Sequence, residues 1–346
     1  MLYLDNIIFS LQKHGGVSVL WGNLIQYLLN HKVDTKFLDY KCSQSNKIRH
    51  SILIPEQNLI LNESTPIFLE RYRDVRIKDE RQIIFHSSHY RICNQHNVKN
   101  ITTVHDFTYE YFVKGIAKGV HIWQKYKAIK KSDIIICISK NTKADLMRFL
   151  PEIPEQKIRV IYNGVSDDYY PIINDSNAQY NDYILFVGGR QSYKNFEFAI
   201  SCVRHCQKKL LIVGSLLTDK ERKTVIECLG SEGYKEIVHP SNNLLNQIYN
   251  SVFCLLYPSL YEGFGIPVIE AQKAGCPVIA MNSSSIPEII GNHSLLLNHS
   301  SCSEFKNKME ILSKNRVEFI SAGLENSKRF SWDKMTSEYA NIYNEM

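Results

Sequence analysis

Short apolar runs alternate with longer amphipathic segments along the whole chain, and this alternation limits the possible folds more than any other feature. The runs are strand-sized and rich in Ile, Val and aromatic residues, whereas the segments between them carry apolar residues at helical spacing. Strands that alternate with helices form βαβ units, which build parallel sheets covered by helices. We expect strands at 3–9, 35–39, 83–86, 101–105, 133–139, 159–163, 183–187, 210–213, 236–239, 252–257, 278–281 and 295–297.

The strands fall into two series separated by a polar, turn-rich stretch. With 346 residues the chain is long enough for two domains. The sequence therefore predicts a doubly wound α/β fold in each half, with ligands at the carboxyl ends of the strands. The predicted boundaries are an N-terminal Rossmann-like domain at 1–165, a linker at 166–182, a C-terminal Rossmann-like domain at 183–330, and a helix at 331–346 that returns to the first domain.

Composition excludes several classes of protein. Hydrophobic residues make up 44% and charged residues 22%, which excludes a disordered chain. The nine cysteines include no Cys-x-x-Cys pair, so we expect reduced thiols and no zinc site. The first residues lack the basic region of a signal peptide, and no apolar run is long enough to span a bilayer. We therefore expect a cytoplasmic protein.

The positive charge is concentrated in the first half of the chain. Residues 1–170 contain 24 Lys and Arg against 17 Asp and Glu, a net charge of +7, whereas the remainder carries −1. This asymmetry suggests a phosphate-bearing partner or an anionic membrane surface. Residues 114–131 hold six lysines and no acid, around an apolar stripe of Ile116, Val120 and Trp123.

Two interpretations of this basic segment remain open. In the first, it forms a helix that lies on an anionic bilayer, with Lys118, Lys125, Lys130 and Lys131 facing the lipid. In the second, the apolar side chains pack on the sheet and the lysines are solvated. The position of Lys127 favours this second interpretation, because its charged side chain projects from the apolar side of the helix and interrupts the stripe.

The phrase EGFGIPVIE, from Glu262 to Glu270, follows a buried strand. Pro267 suits the first turn of a helix, so Glu262 is predicted on the preceding loop and Glu270 inside the helix. Gly263 and Gly265 let the backbone approach a ligand. Because a helix N-terminus binds anions and a carboxylate accepts hydrogen bonds from sugar hydroxyls, this phrase predicts part of a binding site.

Two further glycine turns follow strands. After 183–187, Gly189 precedes Arg190 and Lys194, two cations that could neutralise a diphosphate without a metal. The turn is neither a dinucleotide fingerprint nor a P-loop. Gly15 and Gly16 precede the first long helix, where exposed backbone N–H groups could contact a phosphate.

His105 and Asp106 follow another strand and point towards the expected ligand crevice. A structural role for His105 remains an alternative. A metal site formed with His86 and His89 is disfavoured because no third helical ligand supports it. The chain also contains no Asp-x-Asp pair that could hold a metal on a diphosphate. We therefore expect no metal and no cofactor.

Together these phrases resemble glycosyltransferase family 4, the glycosyl transferases group 1. The resemblance is most specific at 257–288 and extends to 160–165 and 186–195, while the opening residues are similar to enzymes of bacterial O-antigen or capsule assembly. It implies the GT-B fold, in which two Rossmann-like doubly wound domains face each other across a cleft. It implies catalytic roles for His105, Arg190, Lys194 and Glu262, and substrate contacts by Gly15, Gly16, Asp106, Gly189, Arg190, Lys194, Glu262, Gly263, Phe264, Gly265 and Glu270.

Within this resemblance Glu262 faces the donor sugar, Glu270 binds the ribose, and Arg190 and Lys194 hold the diphosphate. The implied reaction is metal-independent, retaining transfer of a hexose from a nucleotide sugar, with GDP-mannose favoured, to a lipid-linked glycan acceptor. No nucleic-acid partner is expected. A glycan-binding protein without turnover and a nucleotide-sugar epimerase are the alternatives. Serines at 283–285, where many relatives carry glycines, leave the identity of the donor open.

Overall fold

The computed structural model describes residues 1–13, 15–62, 66–172 and 178–346. The chain divides into two compact units. The first unit comprises Met1–Gly164 and Ser331–Met346, and the second comprises Val165–Phe330. Each unit contains one parallel sheet, so the predicted fold class is confirmed. No helix within the described ranges is long and apolar enough to cross a membrane.

The sheet of the first unit has seven parallel strands in the order β3-β2-β1-β4-β5-β6-β7. Its strands are β1 Leu2–Asp5, β2 Thr35–Tyr40, β3 Leu59–Asn62, β4 Ile83–Ser87, β5 Val98–Val104, β6 Ile134–Cys137 and β7 Ile158–Val160. The helices of this unit are α1 Ile8–Leu11, α2 Gly16–Asn30, α3 Lys47–Ser51, α4 Ile67–Glu70, α5 Thr108–Phe112, α6 Ile116–Lys131, α7 Lys140–Phe149 and α15 Trp332–Glu345.

The sheet of the second unit has six parallel strands in the order β10-β9-β8-β11-β12-β13. The strands are β8 Tyr183–Val187, β9 Lys209–Gly214, β10 Tyr234–Val238, β11 Cys254–Tyr257, β12 Val278–Met281 and β13 Leu296–Leu297. The helices are α8 Phe196–His205, α9 Asp219–Leu229, α10 Asn242–Ser251, α11 Ile266–Lys273, α12 Ile286–Ile290, α13 Cys302–Lys314 and α14 Arg316–Ser327.

Two sequence predictions for the first sheet were wrong. The apolar run at 3–9 is a strand only as far as Asp5, and Ile8–Leu11 forms a helical turn. A short buried helical turn and a buried strand share the same continuous apolar pattern, so the sequence does not separate them. The edge strand β3 was missed because its four residues are partly exposed and carry no core pattern.

The C-terminal helix α15 completes the core of the first unit. Ser331 caps it by accepting a hydrogen bond from the backbone N–H of Lys334. Tyr339 and Ile342 pack with Trp21 of α2 in one buried cluster. Gly164 permits this docking, because a Cβ atom there would lie 2.4 Å from the backbone nitrogen of Trp332.

The described part of the predicted linker lies in the second unit. Tyr169 packs edge-on against Tyr249 of α10 at a centroid distance of 5.9 Å. The backbone N–H of Tyr170 donates to the side-chain oxygen of Asn246. Residues 173–177 of the predicted linker lie outside the described residues.

Candidate active site

The loops after β8 and β11 are neighbours because these two strands pair at the point where the strand order of the second sheet reverses. Ligands of doubly wound proteins bind at such a switch point. The structure brings Lys194 and Glu262 together here, with the Lys194 Nζ at 2.6 and 2.9 Å from the two carboxylate oxygens of Glu262. The side chains of Lys194 and Glu262 remain 19% and 11% exposed to solvent, respectively.

Arg190 is also in an ion pair rather than a free cation. Its Nε donates to Glu221 at 2.9 Å, and its Nη2 donates to the carbonyl of Leu216. The remaining nitrogen, Nη1, is buried and has no hydrogen-bond partner within the part of the chain that the structure describes. A Cβ atom on Gly214 would lie 3.7 Å from Nη1, which places this nitrogen near the end of β9. One guanidinium nitrogen of Arg190 is therefore enclosed by the protein without a partner among the described residues.

Gly265 shapes the turn into α11. Its φ of +103° lies in the left-handed region that favours glycine, and a Cβ atom there would approach the Ile286 side chain to 2.7 Å. Phe264, one residue earlier, is buried and packs edge-on against Phe330 at 5.7 Å. The side chain of Phe264 thus anchors the loop to the unit, and its backbone carbonyl accepts a hydrogen bond from the Ser285 hydroxyl at 2.8 Å.

Glu270 lies on α11, as predicted, and accepts a hydrogen bond from the Tyr249 hydroxyl at 3.1 Å. Burial raises the pKa of Glu270 to about 7, against the opposing effect of the Tyr249 hydrogen bond. The carboxyl group therefore gives up its proton at a higher pH than an exposed glutamate does. In the ionised form it accepts hydrogen bonds from hydroxyl groups such as those of a ribose.

In the first unit, Gly15 and Gly16 mark the start of α2. Gly15 is the N-cap residue and supplies no side-chain cap to the first turn. Asn46 contacts the residues on both sides of this start: its amide donates to the carbonyl of Gln12 at 2.7 Å and to the Ser18 hydroxyl in α2 at 3.0 Å. Backbone N–H groups at the start of α2 are a suitable contact for an anion.

His105 and Asp106 follow β5 in the first unit. The Asp106 carboxylate accepts the backbone N–H of Thr108, and its carbonyl accepts the Lys125 ammonium at 3.0 Å. The pKa of His105 is lowered to about 4, chiefly by burial and also by the Lys125 charge, against the effect of Asp106. His105 is therefore neutral at physiological pH and able to donate one hydrogen bond to a sugar hydroxyl.

The histidines considered for a metal site have other side chains as hydrogen-bond partners. The two ring nitrogens of His86 lie 2.7 Å from the Tyr343 hydroxyl and 3.0 Å from Thr103. His89 Nε2 lies 3.2 Å from Arg71. Among the described residues, no group of three or more His, Cys, Asp or Glu side chains is arranged to hold a metal ion.

Sequence reasoning missed several partners of these residues. The pairing of Arg190 with Glu221 was not predicted, although the Thr218-x-x-Glu221 spacing is that of a capping box and the structure contains one. No local sequence pattern predicted that Tyr249 would contact Glu270 or that Lys125 would contact Asp106. Lys125 faces lipid in the first of the two interpretations of the basic segment, and for this residue that interpretation was wrong: Lys125 is fully buried and its Nζ lies 2.7 Å from Glu110.

Two protein-family models match the chain, one in each half. Residues 172–330 match the model described as "Glycosyl transferases group 1", and residues 14–169 match "Glycosyltransferase Family 4". The chain belongs to this glycosyltransferase family. The predicted resemblance is thereby confirmed, and the protein is a glycosyltransferase.

Two curated relatives show what the whole chain is similar to. "O-antigen chain mannosyltransferase B" of Escherichia coli is 22% identical over 319 residues, which covers 80% of each chain. "Uncharacterized 41.2 kDa protein in cps region" of Klebsiella pneumoniae is 26% identical over 364 residues, covering 95% of this chain and 96% of the relative.

Solved structures agree with the GT-B fold. Sucrose-phosphate synthase from Thermosynechococcus elongatus matches with a TM-score of 0.78 at 17% identity, covering 99% of this chain and 98% of that one. Anabaena Alr3699/HepE, solved in complex with UDP and glucose, matches with a TM-score of 0.74 at 13% identity, covering 100% and 99%. At these identities the likeness shows the fold alone.

Proposed function

We propose that this glycosyltransferase transfers a hexose from a nucleotide sugar to a lipid-linked glycan acceptor in bacterial surface-polysaccharide biosynthesis, with retention of anomeric configuration. The observation that carries the proposal is the pairing of Lys194 with Glu262 at the sheet switch point, next to the loop of Gly189 and Arg190. The names of the relatives, an O-antigen mannosyltransferase and a protein of a capsule region, support the pathway class.

The proposed chemistry uses side chains of the second unit to stabilise the leaving group. The bond between the sugar anomeric carbon and the diphosphate oxygen breaks, and the acceptor hydroxyl forms the new bond while its proton passes to the departing oxygen. The free Nη1 of Arg190 and the Lys194 ammonium stabilise the developing negative charge, and the N-terminus of α11 adds its dipole. Two cations in these positions do the work that a metal ion does elsewhere.

The remaining predicted residues take roles that their chemistry permits. Glu270 accepts the ribose hydroxyls, and the backbone from Gly263 to Gly265 contacts the sugar. In the first unit, Gly15 and Gly16 contact a phosphate, and neutral His105 with Asp106 contacts the hexose. Because the named relative is a mannosyltransferase, GDP-mannose is the favoured donor, while the UDP complex of the Anabaena structure makes UDP-sugars the alternative.

Thermal denaturation in the presence of candidate donors tests the donor assignment. A ligand at one hundred times its dissociation constant adds about 2.7 kcal/mol of stability. The stabilising donor, radiolabelled, is then incubated with a polyprenyl-diphosphate oligosaccharide. We expect labelled lipid from the wild type, at least tenfold less from Glu262→Gln, and an unchanged rate from the control Glu318→Gln, an exposed acid on α14.

Each alternative function has its own outcome in this assay. A donor that stabilises the protein but is never transferred indicates a binding protein. A donor sugar that changes configuration without acceptor indicates an epimerase. Full activity of Glu262→Gln would contradict the proposed site.

We also propose that the first unit contacts an anionic membrane through an exposed apolar face. Ile116, Val120 and Trp123 on α6 are 88%, 39% and 54% exposed, so this stripe is left largely uncovered, whereas Ile129 of the same helix is fully buried, as the second interpretation expects. Lys127 projects from the same side of α6, with its Nζ 5.6 Å from the Trp123 ring centroid, and Lys114 and Lys131 at the two ends of the helix are exposed. Apolar side chains rimmed by lysines suit the boundary of an acidic bilayer, where each lysine contributes about 1 kcal/mol.

A second exposed element extends this face. Phe68, Leu69 and Tyr72 are 65%, 49% and 38% exposed on and after α4. Gln124 of α6 donates to the carbonyl of Arg71, which joins the two elements. We propose that these six residues form one surface, the apolar face, which is wider than the basic segment predicted from sequence.

Flotation with lipid vesicles tests the membrane proposal. We expect the protein to bind vesicles containing acidic phospholipid and to be released by about 0.5 M salt. Binding should be lost when Ile116, Val120 and Trp123 are replaced by Ser. It should also be lost when Lys114 and Lys131 are replaced by Gln. The matched control replaces Lys220 and Lys314, exposed lysines of the second unit, by Gln. Equal binding to neutral and acidic vesicles, or binding to neither, would contradict the proposal.

A further inference from the structure

Two of three consecutive serines before α12, Ser284 and Ser285, hydrogen-bond the backbone of Glu262. The Ser283 hydroxyl donates to the carbonyl of Ser259 at 2.8 Å. The Ser284 hydroxyl accepts the backbone N–H of Glu262 at 2.8 Å. The Ser285 hydroxyl lies 3.0 Å from the carbonyl of Glu262 and 2.8 Å from that of Phe264, so it donates to both in a shared bond. Both backbone polar groups of Glu262 are therefore held by side chains from another loop.

These contacts replace the regular backbone pairing that an irregular loop lacks. The loop contains Gly263 and Gly265, and glycine leaves a loop more conformational freedom than any other residue. Ser285 is fully buried, so its hydroxyl needs partners inside the protein, and the loop carbonyls are the partners it has. The two hydrogen bonds on Glu262 thus oppose the freedom introduced by the glycines.

The backbone of Ser284 is itself unusual. Its φ of +48° lies in the left-handed region, which glycine adopts without strain and other residues adopt at a cost. A serine at this position therefore opposes the backbone preference. What it adds over glycine is the hydroxyl group that receives the Glu262 N–H.

We propose that Ser284 and Ser285 are positioning residues for Glu262. They fix its backbone, so that the carboxylate paired with Lys194 is presented to the donor sugar in one place. The inference rests on the proposed function, in which Glu262 faces that sugar. It predicts that the hydroxyl groups govern turnover rather than nucleotide binding, because Glu270 and Arg190 lie on other segments of the second unit.

The test replaces the serines one at a time in the full chain. We expect Ser284→Gly to lower kcat at least fivefold while the melting temperature stays the same or rises, because glycine relieves the left-handed backbone. A purely structural role would move both quantities downwards together. Ser285→Ala should also lower kcat, and Ser285→Thr, which keeps the hydroxyl, should recover most of it. The dissociation constant for the free nucleoside diphosphate should change less than twofold in all three.

Amide hydrogen exchange provides a readout that does not depend on activity. The Glu262 amide should exchange at least tenfold faster in Ser284→Gly than in the wild type. The matched control is Ser283→Ala, which removes the hydroxyl that bonds Ser259 and should leave both kcat and the exchange of the Glu262 amide within twofold.

The failure of this inference and the failure of the proposed function are distinguishable. If Glu262→Gln keeps full activity, the role of Glu262 in the proposed function is wrong, and the inference falls with it. If Glu262→Gln is inactive while Ser284→Gly and Ser285→Ala keep wild-type kcat, the serines do not position Glu262. Unchanged exchange of the Glu262 amide in Ser284→Gly overturns the inference by itself.

Discussion

Replacing Lys125 by Met tests whether a buried ion pair holds the strand end that carries His105 and Asp106. Lys125 is fully buried on α6, with its Nζ 2.7 Å from Glu110, 3.0 Å from the carbonyl of Asp106 and 4.3 Å from the Phe107 ring centroid. Methionine keeps most of the volume and removes the charge. The variant leaves the Glu110 carboxylate buried without its cation.

Breaking a buried pair in this way costs about 3–5 kcal/mol. For a unit of this size, each kcal/mol lowers the melting temperature by about 2–4 °C, so we expect a loss of about 6–20 °C. Trp21, Trp123 and Trp332 all belong to the first unit, and the chain has three tryptophans in total. Tryptophan fluorescence during thermal or urea unfolding therefore reports on that unit specifically.

The same helix supplies the control for this experiment. Lys130 pairs with Glu152 at 2.9 Å, but both side chains are about half exposed, and an exposed pair contributes about 1 kcal/mol or less. Lys130→Met should therefore change the transition only slightly. The double variant Lys125→Met with Glu110→Gln should recover part of the lost stability because no charge remains buried. Equal effects of Lys125→Met and Lys130→Met would refute the reasoning.

Three further outcomes are expected. Because the pKa of Glu270 is raised to about 7, the ionised fraction of its carboxyl group increases as the pH rises from about 6 to 8. The affinity for a nucleoside diphosphate, measured by calorimetry, should rise over the same range. Glu270→Gln should bind the nucleoside diphosphate more weakly and without this pH dependence. Removal of residues 331–346 exposes the buried cluster in which α15 packs against Trp21, so the midpoint temperature of unfolding measured by fluorescence should fall sharply. An unchanged midpoint would show that α15 is dispensable for the stability of the first unit. Transfer should continue in excess EDTA and be nearly abolished in Lys194→Ala; an obligatory divalent ion would contradict the proposed leaving-group stabilisation.

Local sequence patterns determined the fold class and most of its elements. The pattern of apolar residues is a property of neighbouring residues, so strands such as Tyr183–Val187 and Val278–Met281 were predicted with the bounds that the structure has. The phrase from Glu262 to Glu270 placed one acid on a loop and the other on a helix, as the structure has them. These predictions needed no knowledge of which segments meet in space.

Only the tertiary structure decided which side chains meet. Lys125 and Lys130 look alike in the sequence, yet one is buried against Glu110 and the other is solvated, because the sheet and α5 cover one side of α6. The serines at 283–285 looked like a departure from a family pattern until the fold placed them against the Glu262 loop. Such contacts join residues far apart in the chain, and the strand order and the packing of whole elements decide which of them form. Local patterns carry no information about either.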